Sequence, residues 1–245
     1  MKTYTYLIST SFITILLLMS CSPLHVINPN NVPGFTQAKE TKISGSFSAQ
    51  DLIIGEAGHI NFAHSFTDKF AFIGGGSVAQ TDWSKIHYTN IGLGYYRPLH
   101  KNMVFENYIG YGYGSVRDDK ARDHSFFYAR YSSVFNQSSL TIRSKNNTLE
   151  GVLSLRLSNI HHYNIIDYEG YHNQINTLVA NPNTFLIEPG FILRAGAEDL
   201  KFEAYLNFLS PISNRSKENY GCFSRTAIGL GLVYSFKPID KIDPL

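Results

Sequence analysis

Two stretches of this chain gather the residue types that hydrolytic enzymes use. Asp118, Asp119, Asp123 and His124 surround one point, and His161, His162, Asp167 and Glu169 open another. A carboxylate that orients an imidazole lets the ring take a proton from water, so either stretch holds the parts of a general base. The catalytic candidates are Asp118, Asp119, His124, His161 and Asp167. Their spacing matches no established motif, and charged loops are mostly just solvated, so the reading favoured is a chain without a catalytic site. His161, His162 and His172 beside Asp167 and Glu169 offer imidazole and carboxylate donors of the kind that suit zinc-like ions. Again the spacing fits no established site, and neither a metal nor another cofactor is expected. Gly74-Gly75-Gly76 follows strand-like Phe70–Ile73 with no helix after it, so it is not a phosphate loop.

The elements that would position these residues are strands. In Thr148–Ser158, Leu149, Gly151, Leu153, Leu155 and Leu157 share one face, while Thr148, Glu150, Ser154, Arg156 and Ser158 share the other. Segments of about ten such residues have the length of a tilted strand crossing a bilayer. The pattern predicts ten strands, near Thr41–Ala49, Ala57–Phe66, Phe70–Gln80, His87–Arg97, Met103–Arg117, His124–Arg143, Thr148–Ile160, Thr184–Ala195, Leu200–Leu209 and Ser224–Phe236. Short links (Thr67–Lys69, Pro98–Asn102, Ser144–Asn147, Gly196–Asp199) alternate with mostly longer ones (Gln50–Glu56, Thr81–Ile86, Asp118–Asp123, His161–Asn183, Ser210–Phe223). That asymmetry, with an even strand number, is the one expected of an antiparallel up-and-down transmembrane β-barrel with both termini on the short-turn side.

The faces sort by chemistry. Ile91, Leu93, Tyr95, Ile109, Tyr111, Tyr113, Phe202, Leu206, Phe208, Ile228, Leu230, Leu232 and Tyr234 are expected outward, with aromatics towards strand ends. Glu106, Arg130, Glu150, Arg156, Glu188, Arg194, Lys201 and Glu203 are expected inward as a self-neutralising ion network. Gly92, Gly94, Gly110, Gly112, Gly114, Gly229 and Gly231 share that face and leave room for long side chains opposite.

Composition fits. Charged residues make up 16% and aromatics 14%, against roughly 25% charged in an ordinary soluble domain. A mean hydropathy of −0.13 leaves no place for a helical span beyond the N-terminus. The formal net charge of +2 gives no basic field, so nucleic acid is not an expected partner. Lys2 and the apolar run from Leu7 to Met19 read as a secretory signal, too short and too rich in Ser and Thr to span. Leu18-Met19-Ser20-Cys21 resembles the lipobox of bacterial lipoproteins, which implies a signal over residues 1–20 and lipidation of Cys21. Cys222 would then have no disulfide partner. Residues 21–39, with Pro23, Pro29, Asn30, Asn31, Pro33 and Gly34, read as a periplasmic tether, and residues 40–245 as the barrel.

Through Leu18–Cys21 and the segments Asn90–Arg97, Gly110–Gly114, Leu149–Ser158 and Ile228–Phe236, the chain resembles small outer-membrane β-barrels, specifically the lipid-anchored ones of Bacteroidota-type bacteria. Many such barrels end on an aromatic residue, whereas this chain continues from Phe236 to Leu245. The resemblance implies a cell outer-membrane location, outer-membrane lipid as surroundings, and a structural role or that of an accessory subunit in an outer-membrane or periplasmic protein complex. Two alternatives belong to other classes. One is an outer-membrane hydrolase, omptin-like or lipid A-modifying, with its site on the loop rim. The other is a soluble lipocalin-like periplasmic carrier, in which the aromatic face would line a cavity and the charges would face water.

Overall fold

Each alternating run is a strand, and each strand pairs antiparallel with its neighbours in sequence. The computed structural model describes residues 25, 27–50, 55–80, 84–120, 125–168, 178–212 and 224–237. The strands are β1 (Thr41–Gln50), β2 (Gly55–Ser65), β3 (Phe70–Gln80), β4 (Ser84–His100), β5 (Met103–Lys120), β6 (Ser125–Arg143), β7 (Leu149–Tyr168), β8 (Asn183–Gly196), β9 (Leu200–Phe208, with a short continuation at Ser210–Pro211) and β10 (Thr226–Phe236). β10 pairs with β9 on one side and with β1 on the other, Thr41 opposite Phe236 and Gln50 opposite Ala227. The sheet is therefore a closed ten-stranded antiparallel barrel without a free edge.

The strands differ in reach. β1, β9 and β10 have 10, 9 and 11 residues, whereas β5, β6 and β7 have 18, 19 and 20. About nine to eleven tilted residues cross the hydrocarbon, so β5–β7 stand well above it on the long-loop side. Much of the asymmetry expected of loops is thus carried by strands. His161–Tyr168, expected to begin a loop, continues β7 against β6. A bulge sets two residues of β7 against one of β6 in that extension, where pairing passes from Tyr128–Ile166 to Arg130–Tyr163 and Asn164 takes a φ of 50°.

Sidedness decides the environment. Phe47 is 79% exposed, Leu230 70% and Phe202 69%, and Ile60, Ile91, Leu93, Ile109, Leu153 and Leu193 are exposed with them. A closed barrel wearing a continuous belt of Leu, Ile and Phe outside, with its charges inside, is built for lipid. The chain is a membrane-spanning β-barrel. The lipocalin-like alternative is overturned by the same observation, since the apolar belt lies outside and the charges line the interior.

The largest departure from expectation concerns the stretch before β1. Read from composition as a tether outside the barrel, it lies within the lumen, where every residue from Ile27 to Phe35 is buried. An extended polar segment is stable there because the lumen wall supplies partners for its backbone and amides. The signal segment, Cys21 and Cys222 lie outside the described residues.

Candidate functional site

The lumen is organised around this N-terminal segment, which runs against the wall from end to end. At the long-loop end His25 packs edge-on against Tyr88 and Tyr131, at 5.6 and 5.3 Å between ring centroids. Ile27 N donates to Gln50 Oε1, and Gln50 Nε2 donates back to Ile27 O, both at 3.3 Å, so the side-chain amide imitates a strand partner. Asn28 Oδ1 accepts from Ser77 Oγ at 2.7 Å. Asn30 Nδ2 donates to Ser154 Oγ at 2.9 Å, and Asn31 Nδ2 to the carbonyls of Phe62 and Gly74. Gln137 Nε2 donates to Asn31 O at 2.8 Å. Val32 packs with Val152, Ile192 and Tyr205, and Phe35 with Ala63, Ala71, Ile73, Tyr96, Tyr108 and Phe135.

Gly34 is the pivot near the short-turn end. Its N–H points between the two carboxylate oxygens of Glu106, 3.0 Å from each, and Phe35 N also donates to Glu106 at 3.3 Å. Its carbonyl accepts from Arg143 and from Lys42 Nζ. The φ of 61° at Gly34 is left-handed, and a Cβ there would run into Arg143 and Thr141. Only glycine meets both demands.

Around this pivot the wall carries one alternating charge row. Arg143, Glu150, Arg194 and Glu203 are successive register partners across β6, β7, β8 and β9. Arg143 Nε is 2.9 Å from Glu150 Oε1, Arg194 Nη1 is 3.5 Å from Glu150 Oε2, and Arg194 Nη2 is 2.7 Å from Glu203 Oε2. Lys201 Nζ adds 2.7 Å to Glu150, and Lys42 pairs with Glu40 at 3.4 Å. Higher up, Arg156 donates to Gln137 Oε1 at 2.7 Å and covers the Phe135 ring, opposite Glu188, which accepts from Ser158 at 2.6 Å.

The expected network members are thus placed as follows. Glu106, Glu150, Arg156, Glu188, Arg194, Lys201 and Glu203 are buried in the lumen. Arg130 is not among them. In β6 the odd-numbered residues from Phe127 to Arg143 face inward, which puts Arg130 outside, where its Nε donates to Tyr128 Oη at 2.6 Å. A long guanidinium among aromatics above the hydrocarbon keeps its charge in water. Lys42, Glu40 and Arg143 also belong to the lumen group; they sit at or beyond strand ends, where alternation gives least warning. On the short-turn rim Lys237 donates a hydrogen bond to Glu198 and holds its carboxyl below the ordinary value.

The inward glycines do what their alternation suggested. A Cβ on Gly110 would strike Phe135, on Gly112 Tyr88, on Gly114 Tyr131, on Gly94 Tyr108 and on Gly229 Tyr205. These rings fill the lumen through the glycine gaps.

Among the described candidates, His161 meets neither Asp118 nor Asp167. Asp118 faces inward and accepts from Ser84 Oγ at 2.9 Å. His161 is exposed outside, its Nδ1 2.9 Å from Asn183 Oδ1, while Asp167 lies beyond the bulge on the inward side, opposite Phe127. Six strand residues, about 20 Å, separate His161 from Asp167. Asp119 neighbours Asp118 on β5, and nothing is described of its side chain. Asp123, His124, Glu169 and His172 lie outside the described residues. Among those described, no three donors group to hold a metal ion.

No protein-family model matches this chain, and no curated protein matches it. Among solved structures it is similar to the KdgM porin, at 13% identity over 80% of this chain and 99% of that one, with a TM-score of 0.39. The translocator domain of the autotransporter NalP from Neisseria meningitidis gives 11% identity, 81% and 87% coverage and 0.41. The outer membrane protein OprG from Pseudomonas aeruginosa gives 9%, 82% and 98%, and 0.36. Such distant likenesses add no weight, and the assignment stands on strand order and sidedness.

Proposed function

We propose that this chain is a non-conducting, non-enzymatic outer-membrane β-barrel whose lumen is closed by its own N-terminal segment. The observation that carries this reading is the unbroken burial of Ile27–Phe35 within the barrel. A conduit keeps a wet path through its middle, whereas here hydrogen bonds from β1, β2, β3, β5, β6 and β7 hold a peptide in that path. In this reading the protein is a lipid-anchored lipoprotein of Bacteroidota type, acylated at Cys21 as its lipobox-like sequence implies. It serves as a membrane-embedded mount, structural in itself or an accessory subunit of a larger outer-membrane complex. Purified full-length protein reconstituted into planar lipid bilayers tests closure. No ion conductance is expected, and a steady open current would overturn the reading.

A further inference from the structure

The lumenal segment has a direction, and every contact along it agrees. His25 meets Tyr131, the thirteenth residue of β6 counted back from its short-turn end at Arg143. Ile27 meets Gln50 at the long-loop end of β1, Asn30 meets Ser154 midway along the membrane part of β7, and Gly34 meets Glu106 and Arg143 at the short-turn end. The chain therefore descends from the long-loop mouth to the short-turn rim and turns back up through Lys39, whose φ is 62°, into β1.

Two magnitudes follow. Nine to eleven tilted residues cross the hydrocarbon, so His25, level with a thirteenth, already stands at the long-loop edge of it. Cys21 is four residues upstream, a reach of at most about 14 Å. A return towards the short-turn side would have to share the lumen with a segment buried at every residue from Ile27 to Phe35. Among the described residues β5–β7 reach furthest on the long-loop side, and Gln50, which holds Ile27, is the last residue of β1.

We infer that the chain's N-terminal end leaves through the long-loop mouth, and that a lipid on Cys21 sits in the outer leaflet, on the cell surface. This replaces the expectation of a periplasmic N-terminus. It makes the barrel a carrier that displays its own anchor on the side opposite to its short turns. The inference rests on the plugged-barrel reading, but the two fail separately, because conductance reports closure and the experiment below reports direction.

The test places a FLAG epitope between Pro23 and Leu24 of the full-length chain, leaving Cys21 and Ser22 in place. A second protein carries the same epitope in the short turn between Ala197 and Glu198. Both are checked for the heat-modifiable gel mobility of a folded barrel. Antibody should bind intact cells displaying the first and not those with the second, and should bind both after outer-membrane permeabilisation. Binding of the first only after permeabilisation would overturn the inference. Should the inserts prevent folding, an untagged pair decides the direction in a Cys222→Ser background. Ile27→Cys should couple through a short thiol cross-linker to Gln50→Cys and not to Lys42→Cys, and coupling to Lys42→Cys instead would reverse the direction and sink the inference.

Discussion

Glu150→Gln removes one charge from the most heavily shared carboxylate in the lumen. Glu150 faces three cations, at 2.9 Å from Arg143, 2.7 Å from Lys201 and 3.5 Å from Arg194, and each of these side chains is more than nine-tenths buried. Around it Glu40, Glu106, Glu150 and Glu203 balance Lys42, Arg143, Arg194 and Lys201, so the substitution leaves one buried positive charge unbalanced. Breaking a buried pair by removing one partner costs roughly 3–5 kcal/mol. The amide keeps one acceptor oxygen for Lys201 or Arg143, which places the expected loss at the low end, about 3 kcal/mol. The assay is equilibrium urea unfolding in detergent, followed by heat-modifiable gel mobility. Ser154→Ala is the comparison, since it removes hydrogen bonds from Asn30 and to Gly190 without touching charge and should lose about 1 kcal/mol. A Glu150→Gln protein within about 0.5 kcal/mol of the parent would mean that water screens the cluster as it does a surface pair, and the account of a sealed lumen would be wrong.

Gly34→Val should free the segment from its pivot, because the left-handed φ and the approach of Arg143 both exclude a branched side chain. Bilayer recordings are expected to show current where the parent shows none. Leu153→Arg puts a cation on the lipid face at a cost of roughly 2–4 kcal/mol near the midplane and should reduce assembled barrel in outer-membrane fractions. Ser154→Arg, one residue along, should still insert but displace Asn30, since the lumen is already full there, and so conduct. Arg156→Met should lower the unfolding midpoint, because Gln137 and Glu188 lose their charged neighbour; an unchanged midpoint would mean a solvated position. Cys21→Ser should abolish labelling by a fatty-acid probe, and equal labelling of both proteins would end the lipoprotein reading.

The strand positions were legible because a wall between lipid and a polar lumen demands strict alternation, and all ten expected segments overlap observed strands. Phe70–Gln80 agrees at both ends. β7 ran on past Ile160 because above the membrane nothing requires an apolar face, and pairing with β6 alone sustains the strand. Arg130 departs from the expected alternation by one residue, which in a strand exchanges lipid side for lumen side. The N-terminal segment departs from expectation for a different reason. Pro, Asn and Gly mark chain without regular structure, and composition does not say whether such chain is solvated or enclosed. A signal was present in its spacing, since Ile27, Val32 and Phe35 interrupt the amides at intervals suited to apolar gaps in the wall, and Asn28, Asn30 and Asn31 bring paired donors and acceptors. What it lacked was a register, because its partners come from six different strands, some of them more than a hundred residues away.

That distance has a consequence for assembly. The segment's bonds run from near to far in sequence: Ile27 with Gln50 lies 23 positions apart, while Asn31 with Gln137, Gly34 with Arg143 and Asn30 with Ser154 lie 106, 109 and 124 apart. The first part of the domain to be synthesised is thus completed only when β6 and β7 are in place, and contacts of such separation form late. Strands that paired before the segment seated would enclose a polar, hydrated interior. Such a barrel would be a water-filled pore, so sealing is a step separable from strand pairing. A variant that stalls there would leak ions across the membrane while showing every strand in place.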